Sequence, residues 1–274
     1  MNWLEGLIYG IVSGLTEFLP ISSQAHQRIL LKMFGMDAPD PLQDLIIHLA
    51  LLASVLIGCR NSINQLRRGY QLQRNNRQGI RNNSYSLELR FLKNAAFPLI
   101  IVYIIAVKLI PINYNLLWVA LFSLISALLL FISSRTMYGN RDEKAMSSFD
   151  SILVGAVGAL SAFSGISRIG SMLAVMNLRG VDRRKALNWV LLLSIPALLL
   201  LAFIDILSLL TTSGRSQICG SFPGYLLSAA GAYIAGYAGI FLLRSASAQN
   251  DTSGSAYYAL GVSLFSLFLY LTVV

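Results

Sequence analysis

Long apolar runs separated by short polar segments dominate the chain. Five of them, 95–111, 116–134, 187–210, 223–243 and 256–274, approach or exceed the roughly 20 residues a helix needs to cross a hydrocarbon core. A shorter run, 43–59, makes a sixth. Two further apolar stretches are interrupted. Residues 3–33 break at Pro20-Ile21-Ser22-Ser23, and residues 151–178 break at Ser164-Gly165-Ile166-Ser167-Arg168. Non-helical backbone at membrane depth survives only inside protein or along a wet cavity. Each stretch therefore reads as two half-helices around a polar elbow, a re-entrant hairpin. The predicted fold class is all-α: a polytopic membrane protein of about six transmembrane helices plus two re-entrant helical hairpins.

Charge orients the runs. Of the 21 Lys and Arg residues, eight fall in 60–93, three in 135–144, four in 179–185 and one at Arg244, whereas 112–115 and 211–222 hold only Arg215. The positive-inside rule places the basic segments in the cytoplasm. Hairpin 3–33 then enters from outside and hairpin 151–178 from inside. A shift of 145 residues lays Gly10–Ser23 over Gly155–Arg168 with six of fourteen positions identical, among them Gly10/Gly155, Phe18/Phe163 and Ser22/Ser167. A unit of one hairpin plus three spans is odd, so a second copy must be upside down. The expected organisation is one membrane domain, 1–274, with repeat units 1–134 and 150–274 inverted relative to each other. Segment 60–93 is a basic, Asn-rich cytoplasmic connector, solvated or in contact with anionic headgroups. Inverted repeats with broken helices meeting at the midplane are a transporter-like plan.

Composition narrows the class further. Hydrophobic residues make up 55% of the chain and charged ones only 12%, against about 25% in soluble domains. The net charge of +9 sits between apolar runs rather than on one solvated face, which argues against nucleic acid as a partner. The two cysteines, Cys59 and Cys219, have no metal-ligand spacing and fall on opposite sides of the predicted membrane. The start of the chain lacks the basic n-region and cleavage site of a signal peptide.

Polar side chains inside hydrocarbon are candidates for function. The first elbow offers Glu17, Ser22, Ser23 and His26, with Thr16 nearby; the second offers Ser161, Ser164, Ser167, Arg168 and Ser171. Together they suit a phosphate. An Arg fork pairs two oxygens, and elbow amides and helix N-termini supply further donors. Glu17 can hold a divalent cation or act as a base, and Ser23 can be a nucleophile activated by His26 or Glu17. A plain structural ion pair between Glu17 and Arg168, with serines used for packing, is the other reading of the same residues. His48, Asp205 and Asp44 lie in or near spans: His48 can line the cavity and Asp205 sit at the outer interface, without an assigned role.

Gly14-Leu15-Thr16-Glu17-Phe18-Leu19-Pro20-Ile21-Ser22-Ser23-Gln24-Ala25-His26 resembles the first signature of the undecaprenyl-pyrophosphate phosphatases, the bacitracin-resistance family. Ser164-Gly165-Ile166-Ser167-Arg168-Ile169-Gly170-Ser171 resembles their second. The resemblance implies six spans, two re-entrant hairpins and a site open to the outer face of the bacterial inner (cytoplasmic) membrane. It implies hydrolysis of undecaprenyl pyrophosphate to the monophosphate, recycling the lipid carrier of cell-wall synthesis, with Mg²⁺ or Ca²⁺ as cofactor. Carried over by position, the catalytic set is Glu17, Ser23, His26 and Arg168, the phosphate-binding set is Ser22, Ser167, Arg168 and Ser171, and the metal ligand is Glu17. The implied partner is a polyprenyl (pyro)phosphate lipid, and a homodimer stays open. Four positions depart from the family pattern: Ser13 for an acidic or amide residue, Ser164 for proline, Ile169 for serine and Met172 for threonine. The first implies weaker metal or proton handling, and the last two imply lost phosphate donors. A non-hydrolytic polyprenyl-phosphate carrier or flippase is the alternative function.

Overall fold

Both interrupted stretches fold as pairs of short helices. The computed structural model describes residues 1–36, 38, 40–75, 84–109, 115–136, 139–211, 221–246 and 253–273. Its helices are α1 (Trp3–Glu17), α2 (Ser23–Met33), α3 (Pro41–Gly58), α4 (Arg60–Asn75), α5 (Ser84–Leu109), α6 (Leu116–Ser134), α7 (Ser148–Ala159), α8 (Arg168–Leu178), α9 (Arg183–Leu210), α10 (Phe222–Ala246) and α11 (Ser253–Val273), and a 3₁₀ turn, Leu160–Ala162, extends α7.

The limits of the paired helices recur at the 145-residue offset, α1 against α7 with its 3₁₀ turn and α2 against α8. Their caps recur too. Asn2 and Ser147 open the first arms with capping boxes closed by Glu5 and Asp150. Ser22 and Ser167 cap the second arms, accepting from the N–H groups of Ala25 and Gly170. Gly35 and Gly180 end those arms at φ +70° and +71°, left-handed positions that let Met36 N–H reach Leu31 O at 2.8 Å and Val181 N–H reach Met176 O at 3.0 Å.

Among the described residues, six helices are long and apolar enough to cross a membrane: α3, α5, α6, α9, α10 and α11. Their large apolar side chains point outward, as with Phe97 on α5, Leu128 on α6, Phe203 on α9, Phe241 on α10 and Leu264 on α11. Small hydroxylic residues point inward. Ser54 donates to Tyr233 O at 2.9 Å and Ser263 to Ala120 O at 2.7 Å, each joining two helices. This is the pattern of a fold whose solvent is lipid, where apolar surface need not be hidden but polar groups must find partners.

The described residues of the basic segment 60–93, namely 60–75 and 84–93, are helical: no proline interrupts them, and Ile63 and Leu66 give α4 an apolar side against the core. Gly69 lets Tyr85 of α5 lie close against α4. The span expected at 95–111 likewise begins eleven residues earlier, at Ser84. Cys59 is buried and free, whereas Cys219 and Arg215 lie outside the described residues.

Packing crosses between the two halves of the chain. α1 lies along α10, α7 along α5, α3 against α9 and α10, α9 also against α5, α6 against α11, and α8 against α6. Small residues set the closest of these approaches. A methyl on Gly6 or Gly14 would come within 2.7 or 2.6 Å of the carbonyl oxygens of Gly224 and Ala232, and one on Gly10 would collide with Ser228 backbone. At the offset position, Gly155 sits in the same way on Ala95 and Pro98 of α5. The stripe Gly6, Gly10, Gly14 is a small-xxx-small face, the usual device for bringing membrane helices into backbone contact. Gly10→Val is therefore expected to prise α1 off α10 and cost about 1–3 kcal/mol or more. Thermal unfolding in detergent reads the effect; a midpoint equal to wild type would show that the two helices do not touch there.

Candidate functional site

The two elbows meet. Gly165 N–H donates to Ser22 Oγ at 3.2 Å, so the residue that caps α2 also ties the first elbow to the second. Gly165 has φ +127°, and a Cβ there would meet Ser123 N and Phe122 Cβ at 2.7 Å, so only glycine fits this turn. Ser167 caps α8 through Gly170 N–H at 3.0 Å, and its own N–H donates to Ser126 Oγ at 3.3 Å. Glu17 ends α1, Ser23 begins α2 and Arg168 begins α8. Two helix N-termini and one helix C-terminus thus converge.

Their side chains join. Arg168 Nη2 donates to Glu17 Oε1 in a buried ion pair, both residues being 9% exposed. Ser23 Oγ donates to the other carboxylate oxygen, Oε2, at 2.5 Å. Arg168 Nε–H is buried and has no hydrogen-bond partner among the described residues, so the guanidinium has a donor to spare. All three groups line one cavity of about 280 Å³, with Ser22, Gln24, Ser161 and Ser164 beside them. Ser164 Oγ donates to Gln24 Oε1 at 3.3 Å, and Gln24 Nε2 donates to Tyr103 Oη at 3.3 Å. The site therefore offers a hydroxyl held on a carboxylate, a guanidinium and two helix N-termini, a set suited to an anionic phosphorus centre.

Four residues offered by the two elbows lie outside this cavity. His26 Nε2 bonds Tyr258 Oη at 2.8 Å and its Nδ1 bonds Ser22 O at 2.6 Å, with its ring stacked on Tyr258. That contact holds the ring toward α11. Ser167 is spent as the α8 cap, and Ser171 donates to Arg168 O at 3.1 Å inside the α7–α8 packing. Thr16 donates back to Val12 O at 2.7 Å.

The departures from the family pattern also find their places. Ile169 and Met172 are 1% and 0% exposed within the apolar core, where a hydroxyl would face no cavity. Ser13 Oγ accepts from Gln27 Nε2 at 3.1 Å, and Gln27 lines the cavity, so position 13 stands one side chain behind it.

The cavity holds a second polar group that motif reading did not assign. Asp44 and His48, one turn apart on α3, and Asp205 on α9 all line it. His48 Nδ1 lies 2.6 Å from Asp205 Oδ2, and Tyr9 Oη donates to Asp44 Oδ1 at 3.0 Å. The i, i+4 spacing of Asp44 and His48 was the available signal. Among the described residues, no three His, Cys, Asp or Glu side chains converge closely enough to cage a metal ion. The cavity is also lined by Pro41, Val107 and Ser208, which sit at the ends of α3, α5 and α9 remote from the basic segments 60–75 and 179–185. Met172→Thr is expected to lower stability by about 2–4 kcal/mol, a large-to-small core loss, without adding a donor to the cavity. Thermal unfolding measures this, and an unchanged midpoint would mean that the side chain faces the cavity after all.

Comparison with known proteins follows the whole fold. The family model for bacitracin resistance protein BacA matches residues 6–265. Among similar proteins, an undecaprenyl-diphosphatase of Thermosipho melanesiensis is 30% identical over 265 residues, covering 96% of this chain and 98% of that one. Undecaprenyl-diphosphatase 1 of Shouchella clausii is 33% identical over 81% of this chain and 82% of its own length. An undecaprenyl-diphosphatase of Myxococcus xanthus is 33% identical over 97% of this chain and 89% of its own length.

Proposed function

The chain belongs to the bacitracin resistance protein BacA family, and from that premise we propose that it hydrolyses undecaprenyl diphosphate to the monophosphate, returning the lipid carrier to cell-wall synthesis. One observation carries the reading: Ser23 Oγ donates to Glu17 while Glu17 pairs with Arg168, all three in one cavity. A carrier of lipid phosphate needs the guanidinium. It does not need a hydroxyl held on a carboxylate, which is what a nucleophile and its base require. This favours hydrolysis over the carrier reading.

In the proposed reaction the diphosphate exchanges places with Glu17 as the partner of Arg168. Charge on the transferring phosphoryl group is then neutralised by a guanidinium whose Nε–H has no acceptor among the described residues. Glu17, freed on one oxygen, takes the Ser23 proton as the hydroxyl attacks. Mg²⁺ usually keeps several waters and binds one or two carboxylates plus substrate phosphates. A divalent ion would accordingly be held by Glu17 and the diphosphate together, and would supply further neutralisation of phosphate charge. We assign the protein to the bacterial cytoplasmic membrane with the cavity open to the outer face, a reading supported by the lining residues Pro41, Val107 and Ser208 at helix ends remote from the basic segments. The recurrence of helix limits and caps at one offset supports reading 1–134 and 150–274 as inverted copies, with the paired short helices as re-entrant hairpins.

Phosphate release from undecaprenyl diphosphate by the detergent-purified chain, with Mg²⁺ or Ca²⁺ supplied, tests the proposal. Glu17→Gln, Ser23→Ala and Arg168→Ala are each expected to reduce kcat by about 10²-fold or more. A silent wild type that still binds the lipid through Arg168 would favour the carrier.

A further inference from the structure

We propose that His48, held by Asp205, is a catalytic acid–base residue of this cavity, delivering a proton to the departing lipid phosphate and recovering it from water. The inference rests on the hydrolytic reading above and adds a residue outside both signature motifs.

The cavity's chemistry leaves a vacancy that this residue fills. Glu17 is occupied with Ser23 and Arg168, position 13 is a serine rather than an acid, and His26 faces α11. None of these can protonate a leaving group across the cavity. Among the described residues lining the cavity, His48 supplies the one imidazole. Its Nδ1 is fixed on Asp205 Oδ2 at 2.6 Å, an arrangement in which a carboxylate sets the ring's orientation and stabilises the imidazolium. No described residue engages Nε2, the nitrogen left for substrate. The pair joins α3 to α9, two helices packed along each other, so the ring is anchored on rigid elements. Glu17 from α1, Arg28 from α2, Asp44 from its own helix, Tyr103 from α5, Arg168 from α8 and Asp205 from α9 are the charged and titratable groups sharing its cavity.

The steps balance. Ser23 Oγ forms a bond to the terminal phosphorus and passes its proton to Glu17. The bond from that phosphorus to the bridging oxygen breaks, and the lipid monophosphate leaves with the proton from His48 Nε2. A water then attacks the phosphoserine and gives a proton to neutral His48. Ser23 leaves with the proton held on Glu17, restoring the starting states and releasing inorganic phosphate.

The test uses the full chain in detergent with undecaprenyl diphosphate, measuring kcat and KM from about pH 5 to 9. The chosen variants are His48→Gln, whose amide can still donate to Asp205, and Asp205→Asn. His48→Gln is expected to lower kcat by about 10²–10⁴-fold, hold KM within a few fold and abolish one limb of the pH profile. Asp205→Asn is expected to lower kcat less and to move that limb. A His48→Gln enzyme with wild-type kcat and profile overturns the proposal, as does a defect confined to KM with the profile intact. In either case the Glu17→Gln defect leaves the hydrolytic reading standing. A wild type that releases no phosphate overturns that reading and the role of His48 with it.

Discussion

Taking the Glu17 carboxylate and the Arg168 guanidinium out of water costs several kcal/mol per ion, and only contact with a partner and further hydrogen bonds offsets it. That requirement shapes the centre of the molecule. The two charges stand at the ends of α1 and α8, so they meet only if both elbows abut. The Ser22–Gly165 hydrogen bond holds the elbows together. The glycine stripe of α1 and Gly155 of α7 let the first arms come close enough to α10 and α5 for this to happen. Packing of small residues on the flanks and ion pairing at the centre are thus parts of one arrangement.

The same arrangement explains how one pair can serve both structure and chemistry. Without substrate, Glu17 neutralises Arg168 and the fold keeps its buried charges balanced. In the proposed reaction a diphosphate would take the guanidinium, and the carboxylate would lose its cation and gain a proton from Ser23. Charge is exchanged rather than created inside a poorly solvated space, where uncompensated charge is most expensive. The Arg168 Nε–H, unpartnered among the described residues, marks where that exchange would begin.

The hydroxyl groups divide by position along their helices. Ser22 and Ser167 cap their helices, Ser22 while also lining the cavity, and Thr16 and Ser171 donate to backbone carbonyls. Ser23, one residue beyond its cap, faces the cavity. A motif read as a string of serines assigns them all to phosphate, but a helix turns about 100° per residue and gives neighbouring serines different surroundings. The same rotation turns Ile169 away from its neighbour Arg168 into the core, whereas His26 is held toward α11 by Tyr258.

From sequence alone, much was already determined: the six long apolar helices, because a bilayer demands length and hydropathy that no soluble helix needs, and the two elbows, because Pro20 and Gly165 with their flanking serines end one helix and cap the next. Glu17 and Arg168 were legible as candidates because isolated charges in apolar runs are costly. The His48–Asp205 pair was not, since its partners lie 157 residues apart and neither sits in a motif; only the packing of α3 on α9 makes them neighbours. Tertiary structure also decided which serines face the cavity and that the basic segment begins as a helix. Local periodicity and solvent preference are written into short stretches of chain, whereas the pairing of polar groups across helices depends on which faces meet.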